Sequence, residues 1–221
     1  DACIDKNVNK VIALSTDKAS SPVNLYGATK LASDKMFVAG NAYSGEHGTR
    51  FAVVRYGNVM GSRGSVIPFF ASLTNESPTP ITDVRMTRFM ISLDQAIELV
   101  YLAMNDAVGG EIYVRKTPSM TITDIARAVR PDAELDIVGI RPGEKLHEQM
   151  VAVEDSPSTY EYSDYFKILP ALNQWNTDRN RIADGQLVPA DFSYTSDANE
   201  DWMSVSELSE WISVNRSTIE I

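Results

Sequence analysis

The chain has 221 residues, 43% of them hydrophobic and 23% charged, close to the globular average, which excludes intrinsic disorder and collagen-like architecture. Its net charge of −10 argues against a nucleic-acid or acidic-membrane surface, so an anionic ligand has to be met by a local cluster of positive groups. No apolar run approaches the roughly 18–20 residues of a membrane helix, and a lone cysteine, Cys3, excludes a disulfide framework and points to a reducing, cytoplasmic setting.

Asp1 to Ile4 carries neither an initiator methionine nor a helix start signal, and reads as the end of a helix already under way in a longer chain. Val11 to Leu14 is a short apolar run with the pattern of a strand buried on both faces. After a polar loop, Tyr26 to Tyr43 brings Leu31, Met36, Phe37 and Val38 round at helical spacing, and Gly45 to Gly48 ends that helix. Phe51 to Tyr56 is a second strand, closed by Gly57-Asn58. Pro68 sits where the first turn of a helix accepts it. Ser92 to Met104 is amphipathic, and Glu111 to Val114 is a short strand. Strands alternating with helices predict βαβ units and a parallel sheet.

Beyond Lys116 the character changes. Thr123 to Arg127 opens a helix, Asp136 to Val138 is a short run, and Arg141-Pro142-Gly143-Glu144-Lys145 is a loop. From Asp155 onward Tyr, Ser, Asp and Asn dominate, until Ser204 and Glu207 form a capping box for a last helix reaching Val214. The expected division is 1–75 with 88–116 as the sheet-based domain, and 76–87 with 117–221 as a smaller lobe.

Tyr26 and Lys30 carry the first chemical signal. Four apart on a helix, they project from one face, and the ammonium favours a tyrosinate suited to taking the proton of an alcohol or sugar hydroxyl. Tyr-x-x-x-Lys alone is common. Here it follows a strand that ends in Ser15-Thr16-Asp17-Lys18-Ala19, at the carboxyl edge where open α/β sheets bind ligands. Ser65 to Pro68 leads into a helix whose free N–H groups suit a phosphate. Asn58 can satisfy sugar or pyrophosphate oxygens, and Arg88 and Arg141 can each clamp a diphosphate. His47 and His147 read as surface or capping residues, because no pattern fits a metal. Trp175, Trp202 and Trp211 read as lobe core.

Strand, Ser15 to Ala19 and Pro22-x-Asn24-Leu25-Tyr26-Gly27-Ala28-Thr29-Lys30 together resemble the extended short-chain dehydrogenase/reductase family. So do Arg55 to Phe70, Met86-Thr87-Arg88-Phe89, Arg141 to Glu148, and the later Tyr160-Glu161 and Phe192 to Asp197. Lys18 beside Asp17, with Tyr26 retained, is most similar to its soluble branch of inverting UDP-N-acetylglucosamine 4,6-dehydratases of the pseudaminic acid pathway. The resemblance implies the C-terminal half of a Rossmann-like parallel sheet with a smaller α/β substrate-binding lobe. It also implies NADP as cofactor (NAD the alternative), a UDP-sugar substrate, no nucleic-acid or membrane partner, and a homo-oligomer formed through helices flanking the sheet.

By the same resemblance Thr16, Asp17, Lys18, Tyr26 and Lys30 are catalytic. Tyr26, Lys30, Tyr56 and Gly57 meet the cofactor, while Asn58, Ser65, Val66, Arg88, Arg141 and Glu144 meet the sugar nucleotide, with Glu144 accepting from ribose hydroxyls. Tyr26 would take the C4 hydroxyl proton, Lys18 the C5 hydrogen as a proton, and Asp17 would protonate the departing C6 hydroxyl. Neighbours of opposite charge favour an ion pair, so Asp17 and Lys18 are expected to titrate as one coupled system in a desolvated pocket. Adjacent residues of a strand face opposite sides, so both serve one sugar only if the chain turns at Thr16–Lys18. The Gly-rich turn of a dinucleotide site is missing from this sequence; at roughly 30 residues per βα unit, about 120 residues would precede it. The chain alone should therefore bind the cofactor poorly. A C4-epimerase of the same fold, or a non-catalytic sugar-nucleotide module, stays open at this point.

Overall fold

The structure, a computed structural model, describes residues 1–45, 48–74, 76–216 and 219, with the backbone alone at 172 and 173; His47 lies outside them. In chain order the elements are α1 (Ala2–Asp5), β1 (Lys10–Thr16), α2 (Leu25–Ser44), β2 (Arg50–Tyr56), β3 (Asn58–Val59) and α3 (Val66–Ala71). Next come β4 (Thr79–Ile81), β5 (Thr87–Ile91), α4 (Leu93–Asp106), β6 (Ile112–Arg115), β7 (Ser119–Thr121), α5 (Ile122–Val129) and β8 (Leu135–Ile137). The remainder holds β9 (Gln149–Val151), β10 (Thr159–Glu161), β11 (Tyr165–Ile168), α6 (Arg179–Ile182), β12 (Gln186–Leu187) and α7 (Val205–Asn215). No helix among the described residues is long and apolar enough to cross a membrane.

The chain forms two compact units, one of residues 1–56, 94–116 and 149–194, the other of 57–93, 117–148 and 195–221. In the first, the sheet order among the described residues is β1-β2-β6-β11-β10-β12. β1, β2 and β6 run parallel, with Lys10 opposite Arg50 and Val53 opposite Ile112, a Rossmann-like α/β arrangement in which α2 and α4 supply the crossovers. Beyond β6 the sheet turns antiparallel through β11, β10 and β12, strands drawn from the segment after residue 148. One face of the parallel strands, Ala52, Val54 and Tyr113, packs on Leu99 and Ala103 of α4. The other takes α2, through the ring contact of Phe37 with Phe51 and the ion pair of Asp34 with Arg55.

Among the described residues β1 is the edge strand of this sheet, and Leu14 is 53% exposed while Ala13 and Ser15 on either side of it are buried. The units also cut the chain elsewhere than at 75/76 and 87/88. β3 pairs with β5 instead of continuing from β2, which carries 57–93 into the second unit. β11 pairs with β6, which carries 149–194 into the first.

The second unit has a three-stranded sheet, β3-β5-β7, and a parallel pair, β4-β8. Its core gathers Ile67 and Phe70 of α3, Ile81, Met86, Ile125 of α5 and Leu208 of α7, each contributing about 1.5–3 kcal/mol by burial. Caps fix the helix starts: Thr121 accepts from the Asp124 N–H, and the Ser204–Glu207 capping box forms as its spacing predicted. Trp211 packs against this core. Trp202 does not, being 43% exposed with its indole N–H donating to the Asn199 carbonyl; Trp175 stacks on Arg181 in the first unit.

Candidate functional site

β1 ends at Thr16, and Asp17–Ala19 forms a single 3-10 turn, so the strand alternation that would separate Asp17 from Lys18 is broken at that point. The Thr16 hydroxyl accepts from the Lys18 N–H at 3.4 Å and donates to Asp17 Oδ1 at 2.7 Å. Lys18 Nζ donates to the same oxygen at 3.0 Å. Asp17 has no exposed surface, whereas the Lys18 side chain is 37% exposed.

The next element supports this turn. Asn24 caps α2 by accepting from the Gly27 N–H at 2.9 Å. Gly27 itself is required by close approach: a Cβ there would collide with the Lys18 carbonyl oxygen and lie 2.9 Å from the Pro22 Cβ. Tyr26, one position earlier, is 56% exposed. Lys30, one turn on, gives its ammonium to the Leu14 carbonyl at 3.0 Å, so it is fastened to the end of β1. Tyr56 closes β2 with its phenol held neutral, its pKa pushed up by burial and by the neighbouring Tyr26. Gly57 is the first residue of the second unit.

That second unit contains an open cavity of about 420 Å³. Asn58, Ser65, Val66, Arg88, Arg141 and Glu144 all line it. Asn58 Oδ1 and Ser65 Oγ are buried polar atoms without a hydrogen-bond partner among the described residues, which is how a wall made to meet a polar ligand looks when its groups are oriented in advance. Ser65 is the N-cap residue of α3 but makes no side-chain cap bond, and α3 is only six residues long. Arg141 is exposed, and its backbone N–H donates to Glu144 Oε2 at 3.3 Å, so the Glu144 carboxylate also closes its own turn.

Arg88 is more committed than its motif suggests. Its Nη1 donates to the carbonyls of Thr87 and Leu146, its Nη2 to that of Lys145, and Glu148 lies 3.6 Å from its Nε. It therefore offers the cavity its charge while fastening the 141–148 loop to β5. A hydroxyl chain makes the second fastening: His147 Nδ1 and Thr87 Oγ1 are 2.9 Å apart, Thr87 Oγ1 and Ser196 Oγ 2.6 Å, and the Glu148 N–H donates to Ser196 Oγ at 2.9 Å. His147 is thus part of a built network. Sequence reasoning did not find the cavity's apolar wall, where Phe69, Met86, Ile122 and Val138 meet Thr82, because apolar residues at these spacings read equally well as core.

A family model described as "Polysaccharide biosynthesis protein" matches residues 1–170. Two relatives from Campylobacter jejuni, serotypes O:2 and O:23/36, are each named UDP-N-acetylglucosamine 4,6-dehydratase (inverting). They are 52% and 51% identical over 96% and 94% of this chain. The chain spans 66% and 64% of their lengths. Among solved structures, Pen from Bacillus thuringiensis superposes with a TM-score of 0.83 at 34% identity, over 97% of this chain and 64% of that one.

Proposed function

This chain belongs to the polysaccharide biosynthesis protein family, and from that premise we propose that the whole protein is a lyase that dehydrates UDP-N-acetylglucosamine at C4–C6 with inversion at C5. The first unit holds the reacting groups and the nicotinamide end of NADP, and the second holds the UDP-sugar. The observation that carries the reading is the turn after β1, which sets Lys18 Nζ 3.0 Å from Asp17 Oδ1 immediately before the helix bearing Tyr26. An epimerase has no use for an acid/base pair at these positions.

The exposed Tyr26 phenol and the Lys30 ammonium at the carboxyl end of β1 suit the hydroxyls of a nicotinamide riboside, with Tyr56 and Gly57 following β2. When bound, that cofactor stores hydride, taking it from C4 and returning it to C6, so no net redox results. Tyr26, as phenolate, takes the C4 hydroxyl proton, and the ketone that forms acidifies C5. Lys18 removes the C5 proton in its neutral form while Asp17 gives its proton to the departing C6 oxygen, which leaves as water. The resting contact already holds the one proton that must sit on Asp17. C5 is then reprotonated from the opposite face. In the second unit, Arg88 and Arg141 meet the diphosphate, Asn58, Ser65 and Val66 its oxygens, and Glu144 the ribose.

The reading puts the protein in the cytoplasm, supplying precursor to the pseudaminic acid pathway, and as a homo-oligomer. Ile97, Tyr101 and Met104, exposed at helical spacing on α4, support the last point. Proton NMR of UDP-N-acetylglucosamine incubated in D₂O with NADP⁺ and the full-length protein tests the proposal. A 4-keto-6-deoxy product of L-arabino configuration with deuterium at C5 is expected. A D-xylo product would sink the inversion, and an epimerised or unchanged sugar the dehydratase.

A further inference from the structure

Ser15 Oγ, Asp17 Oδ2 and Arg55 Nε are buried and have no hydrogen-bond partner among the described residues, in side chains that are 5%, 0% and 2% exposed. Native proteins leave few such groups, and each calls for an explanation. Ser15 and Arg55 are Cα partners in the parallel β1–β2 pair, so their side chains share a face. Asp17 follows in the 3-10 turn, which packs on α2 and β9, the two elements that also bond the Arg55 guanidinium. α2 covers this face: Asp34 Oδ2 accepts from Arg55 Nη2 at 3.1 Å, and the Met150 carbonyl accepts from Nη1 at 2.7 Å. Nε is the guanidinium nitrogen with no partner among the described residues.

Their hydrogen-bonding capacities are complementary. Arg55 Nε–H only donates, ionised Asp17 Oδ2 only accepts, and the Ser15 hydroxyl does either. An internal water typically makes about three such bonds in a polar pocket. We propose that one internal water joins these three atoms, which makes Ser15 and the Arg55–Asp34 pair positioning residues for Asp17. A water fed by a guanidinium donor turns its hydrogens toward Oδ2 and favours the carboxylate. At rest the shared proton then sits on Lys18, and it moves to Asp17 only when a bound sugar rearranges the pair. The charged or titratable groups on this turn, on the α2 stretch after it and against Arg55 include Lys18, Tyr26, Lys30, Asp34 and Asp155, whose carboxylate is 3.9 Å from Arg55.

The assignment of a catalytic task to Asp17 rests on the proposed dehydratase reading, but the water does not, so two measurements on the full-length protein separate them. A crystal structure that resolves ordered water should show one within hydrogen-bonding distance of Asp17 Oδ2 and of Ser15 Oγ or Arg55 Nε. Direct contact between those side chains, or a dry gap, overturns the proposal whether or not the protein turns over. The pH profile of kcat for dehydration supplies the second reading. Ser15→Ala should move its acid limb to higher pH by up to about one unit, with KM within about twofold, and Ser15→Thr should restore it. A profile that Ser15→Ala leaves in place overturns the positioning role. Absence of turnover in the unmodified protein would count against the dehydratase alone.

Discussion

The turn after β1 and the cavity of the second unit solve the problem of holding polar groups in opposite ways. In the turn, the Asp17 carboxylate has no exposed surface and accepts from its immediate neighbours Thr16 and Lys18. In the cavity, the polar wall comes from residues 58, 65, 88, 141 and 144. It depends on long-range fastenings, those of Arg88 to Leu146 and of Thr87 to His147 and Ser196. Groups proposed to exchange a proton at 3.0 Å are best held by the shortest stretch of chain, with the fewest ways to drift. Groups that must surround a long ligand cannot be, and their geometry depends on how well distant segments are tied together.

Four changes test that contrast. Lys18→Ala removes the proposed base while leaving Asp17 its Thr16 donor, and dehydration measured by NMR should fall by about 10²–10⁴ with the cavity's nucleotide affinity unchanged. Comparable loss of nucleotide binding would show that the turn is not the separate chemical device described here. Next comes Asp34→Ala, which leaves Arg55 charged and buried; urea denaturation should register about 3–5 kcal/mol of lost stability. Thr87→Val cuts the hydroxyl chain that ties down the 141–148 loop and should raise KM about tenfold, some 1.4 kcal/mol, with kcat held. A fall in kcat at constant KM would refute the anchoring role.

The smallest effect lies on the surface. Arg85 donates twice from its guanidinium and once from its backbone N–H to Asp83, and holds that carboxyl down at about 2. A depressed carboxylate stabilises the fold above its unfolded value of about 4 and loses that contribution as the pH falls through about 2. In Arg85→Ala, an NMR titration of the Asp83 carboxyl should move back toward the ordinary range, with activity at neutral pH untouched.

Much of this was legible in the residues themselves. β2 announced itself as Phe51 to Tyr56, α2 by its periodicity, and α7 by the Ser204–Glu207 box. The polar cavity residues Asn58, Ser65, Arg88, Arg141 and Glu144, and Val66 beside them, belong to motifs that could be named in advance. The strands after residue 158 were not foreseen, and the reason is physical. β11 carries Lys167, an unpromising residue for a buried strand, and it is tolerated because Asp106, far away in sequence, accepts from it at 2.6 Å. β10 and β12 are short and polar, so their pairing depends on partners that no local pattern reveals. The apolar cavity wall was invisible for a related reason: Phe69 or Met86 looks the same in sequence whether it faces a ligand or another side chain.

Lys167 also makes the protein easy to interrogate. Its amine is almost wholly enclosed, held by Asp106 and the Arg181 carbonyl and capped by the rings of Tyr113 and Tyr162. An acylating reagent that marks solvent-facing lysines within seconds can reach this one only when β11 lifts from β6. Its labelling rate, followed peptide by peptide, is therefore a clock for the opening of that strand pair, and it needs neither substrate nor cofactor to be read.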